Sequence, residues 1–473
     1  MSAVHDLTAL EQAAAIRSGE LSAIEVTQHY LGRAARLSDD VGAYVHVSEE
    51  LALEQARSAE AQVRSASRDA QLPPLLGVVC PVKDLDFVAG VPTKMGSAAL
   101  DITPFDDDNF VTKMRSAGLV FTGKTNTPEF GLPCYTEPEV APPARTPWDL
   151  TRSAGGSSGG AGAAVAAGLA PFAQGSDGGG SIRIPSAVCG LVGIKPSRGR
   201  ISNGPLSDSI GDLATVGPMA RTVSDAAALL DVLAGNFPGD PIGAPGPRLG
   251  SFLDAAGRNP GRLTVGVLTK PALGHVKPHA DVLSAVDATV KVLESLGHSV
   301  EEVEPPFDET MVPIFTTLWS TLASSIPLNP EQESKIRPLT SWLREQGKDH
   351  SATDLARTIS IMRIASRAAM FTTNHLDAIL VPTLADLPAL VGQLRNDEDP
   401  AADFAAQVAY SPFCAPYNVT GQPAINVPMN WNSAGLPVGV QFVGRMFDEE
   451  TLISLAAQLE QASPWRDRRP ELW

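Results

Sequence analysis

The sequence predicts an α/β fold built around a mostly buried sheet, and two observations predict it. Short apolar runs of strand length alternate along the chain with segments of helical periodicity, the order of elements that layers helices on a sheet. At 473 residues, 43% of them hydrophobic, the chain is also long enough to bury a large core. The candidate strands are residues 77–88 (GVVCPVKDLDFV), 118–123 (GLVFTG), 263–268, 375–384, 423–429 and 437–444. They read as near-continuous apolar runs, the pattern of strands covered on both faces. Candidate helices at 225–235, 281–297 and 449–462 lie between or after them.

The first 70 or so residues read as helical. Residues 20–37 open with Ser22 three positions before Glu25, a capping-box pattern, and carry Ile24, Leu31, Ala34 and Leu37 at helical spacing. A second, alanine-rich helix over 48–66 ends before Pro73 and Pro74. The predicted organisation is therefore an N-terminal helical segment, 1–74, packed on a larger α/β domain, 75–473. A Pro/Gly-rich passage at 236–251 is the candidate boundary between lobes, and the acidic run 396–403 reads as a solvated loop.

A net charge of −17 argues against general attraction to phosphate backbones or anionic membranes, so neither nucleic acid nor membrane is an expected partner. The first residues lack the basic start and apolar core of a secretory leader. The most apolar stretch, 161–173, is short and glycine-interrupted, far from the roughly 20 residues a bilayer span needs, and reads as a buried helix. Cys80, Cys134, Cys189 and Cys414 are scattered, as reduced thiols of a cytoplasmic protein would be. Cytoplasmic location is the expectation.

Three motifs invite chemistry and are set aside. Gly118 to Thr125 satisfies the phosphate-loop pattern letter by letter, but its middle looks like a strand and Asn126-Thr127-Pro128 follows where a helix is needed. The stretch GGSSGGAGAAVAAG lacks the glycine spacing and the preceding strand of a dinucleotide loop. His275 and His279 are four apart, yet Pro278 between them makes a shared helical face for a metal improbable.

The informative stretch is GSDGGGSIRIP, residues 175–185, with Gly155-Gly156-Ser157-Ser158-Gly159-Gly160 upstream. Glycine costs more backbone entropy than any other residue, so repeated glycines beside serine need a reason. Bare N–H groups converging on one point can receive an oxyanion while a neighbouring serine attacks the carbonyl. Tight turns in a small-residue core are the plainer alternative. A nucleophilic serine needs a base, and none of the eight histidines lies in this region. Lys83 interrupts an apolar run, where desolvation would lower its pKa towards neutrality. A strand-end lysine paired with Asp84 or Asp86 is the other reading of the same residue.

Taken together, PVKDLDFVAGVPT, GGSSGG and GSDGGGSIRIPSAVCGLVGIKPS resemble the amidase signature family, and the likeness runs from about residue 75 to the end. The resemblance implies a mixed central β-sheet covered by helices on both faces. It implies a Ser-cisSer-Lys triad with Ser181 as nucleophile, Ser157 as the bridging serine in a cis peptide and Lys83 as base. The N–H groups of Gly178, Gly179, Gly180 and Ser181 would form the oxyanion hole, and Ser158 would hold Lys83 by a hydrogen bond. Asp177 and Arg183 would brace the loop as an ion pair. The expected activity is hydrolysis of a small amide, with esters and carbamates as related carbonyls, through an acyl-enzyme and with no cofactor or metal. Cys134 and Tyr135 in 127–138 and Trp319 in 315–330 are the candidate pocket walls. The sequence looks closer to aryl acylamidases and nylon-oligomer cyclic-dimer hydrolases than to the A subunit of a tRNA-dependent amidotransferase, the alternative reading. A nucleotide-binding role through Gly118–Thr125 is the remote one. Homodimers are common in the family, so a second copy is the one protein partner the resemblance suggests.

Overall fold

The computed structural model describes residues 3–67, 70–206, 210–248 and 250–473. Of the predicted boundaries, residues 1, 2, 68 and 69 of the N-terminal segment and residue 249 of the 236–251 passage lie outside these. The strands are β1 (Tyr44–Val47), β2 (Val82–Lys83), β3 (Gly123–Thr125), β4 (Phe172–Asp177), β5 (Val192–Lys195), β6 (Thr215–Ala220), β7 (Thr264–Val267), β8 (Ser299–Glu302), β9 (Ala378–Pro382), β10 (Ala424–Trp431) and β11 (Pro437–Gly444). Eight of them form the main sheet in the order β4-β6-β5-β10-β11-β9-β7-β8, and β1-β3-β2 form a small one. β9, β7 and β8 run parallel while every other pairing in the main sheet is antiparallel, so the sheet is mixed.

Successive side chains of a strand point to opposite faces, and in the central strands both faces are buried. Ile194, Ile425, Val427, Val440, Phe442, Leu380 and Val265 enter one core with the helices Val223–Leu233, Ala280–Ser295 and Glu449–Ala462. Ala173 and Met219 face the other way onto the helices Gly159–Ala166 and Arg183–Cys189. That two-faced burial is why the strand runs read as continuous rather than alternating.

Four of the six predicted strand runs become β7, β9, β10 and β11. The run 77–88 yields only Val82–Lys83, because Gly77 takes a positive φ of 83° and Pro81 has no N–H for a ladder. Its first half still pairs with 118–123 through Cys80 N–Val120 O (2.8 Å) and Val120 N–Val78 O (2.9 Å). The all-helical expectation for the first 70 residues is corrected at β1: Gly42, in the left-handed region, ends the Ala23–Val41 helix, and the β-prone Tyr-Val-His-Val pairs with β3. Ser22 caps that helix as expected, accepting from the Ile24 and Glu25 N–H groups. The N-terminus of the Ala9–Ser18 helix is tied down at long range, since the buried Asp225 carboxylate accepts from the Ala9 and Leu10 N–H groups at 3.0 and 3.1 Å.

The passage 236–251 lies between β6 and β7, and both strands belong to the same sheet. The acidic run 396–403 is not a solvated loop throughout. Asp399 caps the Pro400–Tyr410 helix by accepting from the Ala402 N–H (3.0 Å), and Asp403 is buried within it. Asp followed by Pro is a helix-start signal, and the density of charge masked it. That helix, with Met311–Ser325, Pro338–Lys348 and Ala352–Thr372, forms a separate apolar cluster. Among the described residues no helix is long and apolar enough to cross a membrane.

Candidate active site

Lys83 ends β2 with its side chain fully buried. Its N–H donates to Gln174 Oε1 of β4 (2.8 Å), and its Nζ donates to Ser157 Oγ (2.8 Å) and Ser176 Oγ (3.0 Å), with Ser176 O at 3.4 Å. Burial depresses the ammonium to a pKa of about 7, against weaker upward pulls from Asp86 and Asp177. The amine thus faces hydroxyls. The carboxylates that could have claimed it are engaged elsewhere: Asp84 sits 3.9 Å from Lys124 and accepts from the Lys94 and Gly96 N–H groups, and Asp86 accepts from Gln174 Nε2 at 2.9 Å.

Ser157 follows a cis peptide bond after Gly156, and its carbonyl accepts from Thr127 Oγ1 at 2.9 Å. Behind it the Gly159–Ala166 helix is entirely small and entirely buried. A Cβ at Gly160 would lie 2.3 Å from the Asn126 backbone nitrogen, so glycine lets this helix approach the Lys83 sheet at backbone contact. Ser158 does not hold Lys83. Its Oγ donates to the Ser176 carbonyl (3.1 Å) and accepts from the Ser176 N–H (3.2 Å), and Ser176 is what meets the lysine. β4, Phe-Ala-Gln-Gly-Ser-Asp, is too polar to form an apolar run, because its Gln174, Ser176 and Asp177 side chains bond within the site.

Ser181 stands on the loop after β4, and its carbonyl accepts from the Ser158 N–H (3.1 Å), tying the two serine loops together. Its hydroxyl lines a pocket and has no hydrogen-bond partner among the described residues. Asp177 organises the turn. Its carboxylate accepts from the N–H groups of Gly180 (2.8 Å) and Ile182 (3.2 Å) and from Arg183 Nε and Nη2 (each 2.9 Å). Burial pushes this carboxyl up, but the Arg183 guanidinium outweighs it and holds it below the ordinary range. The expectation of four oxyanion donors is therefore corrected: the Gly180 N–H is committed to Asp177. The N–H groups of Gly178, Gly179 and Ser181 have no acceptor among the described residues.

Aromatic rings crowd the glycine loop. A Cβ at Gly178 would lie 3.0 Å from the Trp319 ring and one at Gly179 3.0 Å from that of Phe315, two rings stacked 5.1 Å apart. Gly180 has φ 129°, and a Cβ there would lie 2.7 Å from Cys414 Cβ. Gly180→Ala is expected to cost at least about 2 kcal/mol by denaturant titration, through overpacking and backbone strain together.

The cavity at Ser181 measures ≈ 90 Å³, and among the described residues no charged side chain lines it. Cys134 and Trp319 are in its wall. Tyr135 is not: its hydroxyl donates to Asp403 (2.7 Å) and its ring is buried behind the wall. Phe315, Phe404 and Gln407 line it and carry no local motif that marks them. Lys124, the lysine of the phosphate-loop pattern, lies within β3 and donates to Thr93 Oγ1 (2.9 Å) and the Asp86 carbonyl, leaving it buried among protein acceptors. His279 caps the helix that follows it, and no cluster of metal-ligating residues occurs among the described residues.

The sequence model of the family described as Amidase matches residues 25–453. A 6-aminohexanoate-cyclic-dimer hydrolase of Paenarthrobacter ureafaciens is 36% identical over 489 residues, covering 98% of this chain and 96% of the relative. The solved structure of a 6-aminohexanoate cyclic dimer hydrolase aligns with a TM-score of 0.91 at 33% identity over 100% of both chains. That of a bacterial aryl acylamidase of the amidase signature family aligns at 0.87 and 26% identity over 98% of each. With the family's sequence pattern running through nearly all of it and relatives matching it end to end, the chain belongs to the amidase family.

Proposed function

We propose that this amidase hydrolyses small, uncharged, largely apolar amides, linear or cyclic, through an acyl-enzyme on Ser181, with Ser157 as proton relay and Lys83 as base. The observation that carries the reading is the 2.8 Å hydrogen bond between a wholly buried lysine and the Ser157 hydroxyl. A neutral amine there accepts the Ser157 proton as Ser157 takes the proton of Ser181, and Ser181 Oγ bonds to the amide carbon. Negative charge on the carbonyl oxygen is received by the N–H groups of Gly178, Gly179 and Ser181. The proton returns through Ser157 to the nitrogen as the C–N bond breaks, and water then releases the acid from Ser181 by the same relay. The contact between the two serine hydroxyls closes in the Michaelis complex, where such bonds tighten.

The uncharged pocket supports the substrate class, and the names of the relatives, a cyclic-dimer hydrolase and an aryl acylamidase, support both cyclic and aryl amides. The test is a hydrolysis panel of anilides, aliphatic and cyclic amides, esters and carbamates with the protein alone. Turnover of a simple anilide or lactam without a partner subunit is expected; an inert panel would overturn the proposal.

The pH profile is a second expectation. Lys83 must be neutral to act, and burial brings its pKa to about 7. The rate constant kcat/KM therefore rises with pH, about tenfold per unit below 7, and levels off above it. A profile flat from pH 5 to 8 would remove Lys83 from the base role.

A further inference from the structure

Gln407, on the Pro400–Tyr410 helix, is the one side-chain amide in the pocket wall among the described residues. Both ends of that amide are held. Oε1 accepts from the Cys134 N–H at 2.8 Å, and Nε2 donates to Asp403 Oδ1 at 2.6 Å. Chemistry dictates this orientation: a backbone N–H can only donate, and the Asp403 carboxylate, which already accepts from the Tyr135 hydroxyl (2.7 Å) and the Asn396 N–H (2.9 Å), can only accept. A flipped amide would oppose oxygen to carboxylate and NH₂ to N–H. Asp403 is thus a positioning residue for Gln407.

A primary amide nitrogen carries two hydrogens. Asp403 takes one, and the second has no acceptor among the described residues. A fixed, unpaired donor in a largely apolar wall is a recognition element, because a ligand that offers it no acceptor leaves it unsatisfied. Ser181 lines the same cavity, so one bound molecule can reach both. A carboxylate is a poor match for this donor, since Asp403 lies directly behind the amide.

We infer that Gln407 reads a second, neutral acceptor oxygen on the substrate, so the preferred substrates are small amides carrying a further carbonyl, in place of a plain hydrocarbon acyl chain. This rests on the proposal that Ser181 attacks an amide in this pocket. The pocket then discriminates by one hydrogen bond rather than by shape alone.

The experiment is a position scan on the full chain. Calorimetric titration of Ser181→Ala with a linear acyl anilide, and with analogues in which successive chain methylenes are replaced by a carbonyl, is expected to show one position binding about tenfold more tightly than its neighbours. The same position is expected to give the highest kcat/KM in the unaltered enzyme, and Gln407→Leu to erase the preference. Equal affinity at every position, or a preference that survives Gln407→Leu, overturns the inference. If Gln407→Leu does not fold, the scan decides by itself. Turnover of the plain anilide with no preferred position overturns only the role of Gln407. No turnover of any anilide overturns the Ser181 reading instead, and the titration still decides for Gln407.

Discussion

Ser181→Ala is expected to lower kcat by at least about 10⁴-fold, because removing a nucleophile that acts within a relay forfeits nearly all of the relay's contribution at once. The fold is expected to be unaffected. The Ser181 hydroxyl holds no hydrogen bond among the described residues, and what ties its loop to the Ser157 loop is its carbonyl, which alanine keeps. The melting temperature should stay within about 2 °C of the unaltered protein, a surface-like change in stability. Two measurements check this: steady-state hydrolysis of an anilide, and mass spectrometry of the unaltered enzyme quenched during turnover, where an acyl increment on the peptide containing Ser181 is expected. Retention of more than about a tenth of the activity in the variant would end the assignment of nucleophile.

Arg183→Ala is expected to have the opposite character, a large loss of stability together with loss of activity. All five guanidinium hydrogens are used: Nε and one Nη2 hydrogen on Asp177, the other Nη2 hydrogen on Asn418 Oδ1 (2.6 Å), and the Nη1 pair on Cys414 O (3.1 Å) and Gln441 Oε1 (3.0 Å). The side chain is wholly buried, as is Asp177. Deleting the arginine leaves an uncompensated carboxylate in the interior, a change that costs about 3–5 kcal/mol when one partner of a buried pair is removed. Urea denaturation is the measurement. Activity should fall with it, since Asp177 holds the Gly180 and Ile182 N–H groups and hence the turn that presents Ser181. Arg183→Lys is expected to recover only part of the stability, because an ammonium has three donors and no planar fork. A variant as stable as the parent would show that the pair is dispensable.

The sequence carried a good deal of this without help. Strands such as 437–444 and helices such as 449–462 were legible because both follow from local apolar spacing. The glycine–serine loops and the lysine in an apolar run pointed to acyl transfer because that chemistry needs contiguous bare N–H groups and a desolvated base, and both leave marks on short stretches of chain. β4 and β1 were less visible: one is made polar by the site it serves, the other is a short strand between two strong helices.

What the sequence by itself determined, then, is the class of fold and the family, since each depends on neighbours along the chain. Only the tertiary structure decided who partners whom. It placed Ser176 rather than Ser158 on Lys83, gave the Gly180 N–H to Asp177, turned Tyr135 away from the pocket and brought in Gln407, 273 residues from the Cys134 N–H it accepts. A hydrogen bond or a pocket wall is set by which surfaces meet after folding, and no local pattern records a meeting between segments so far apart.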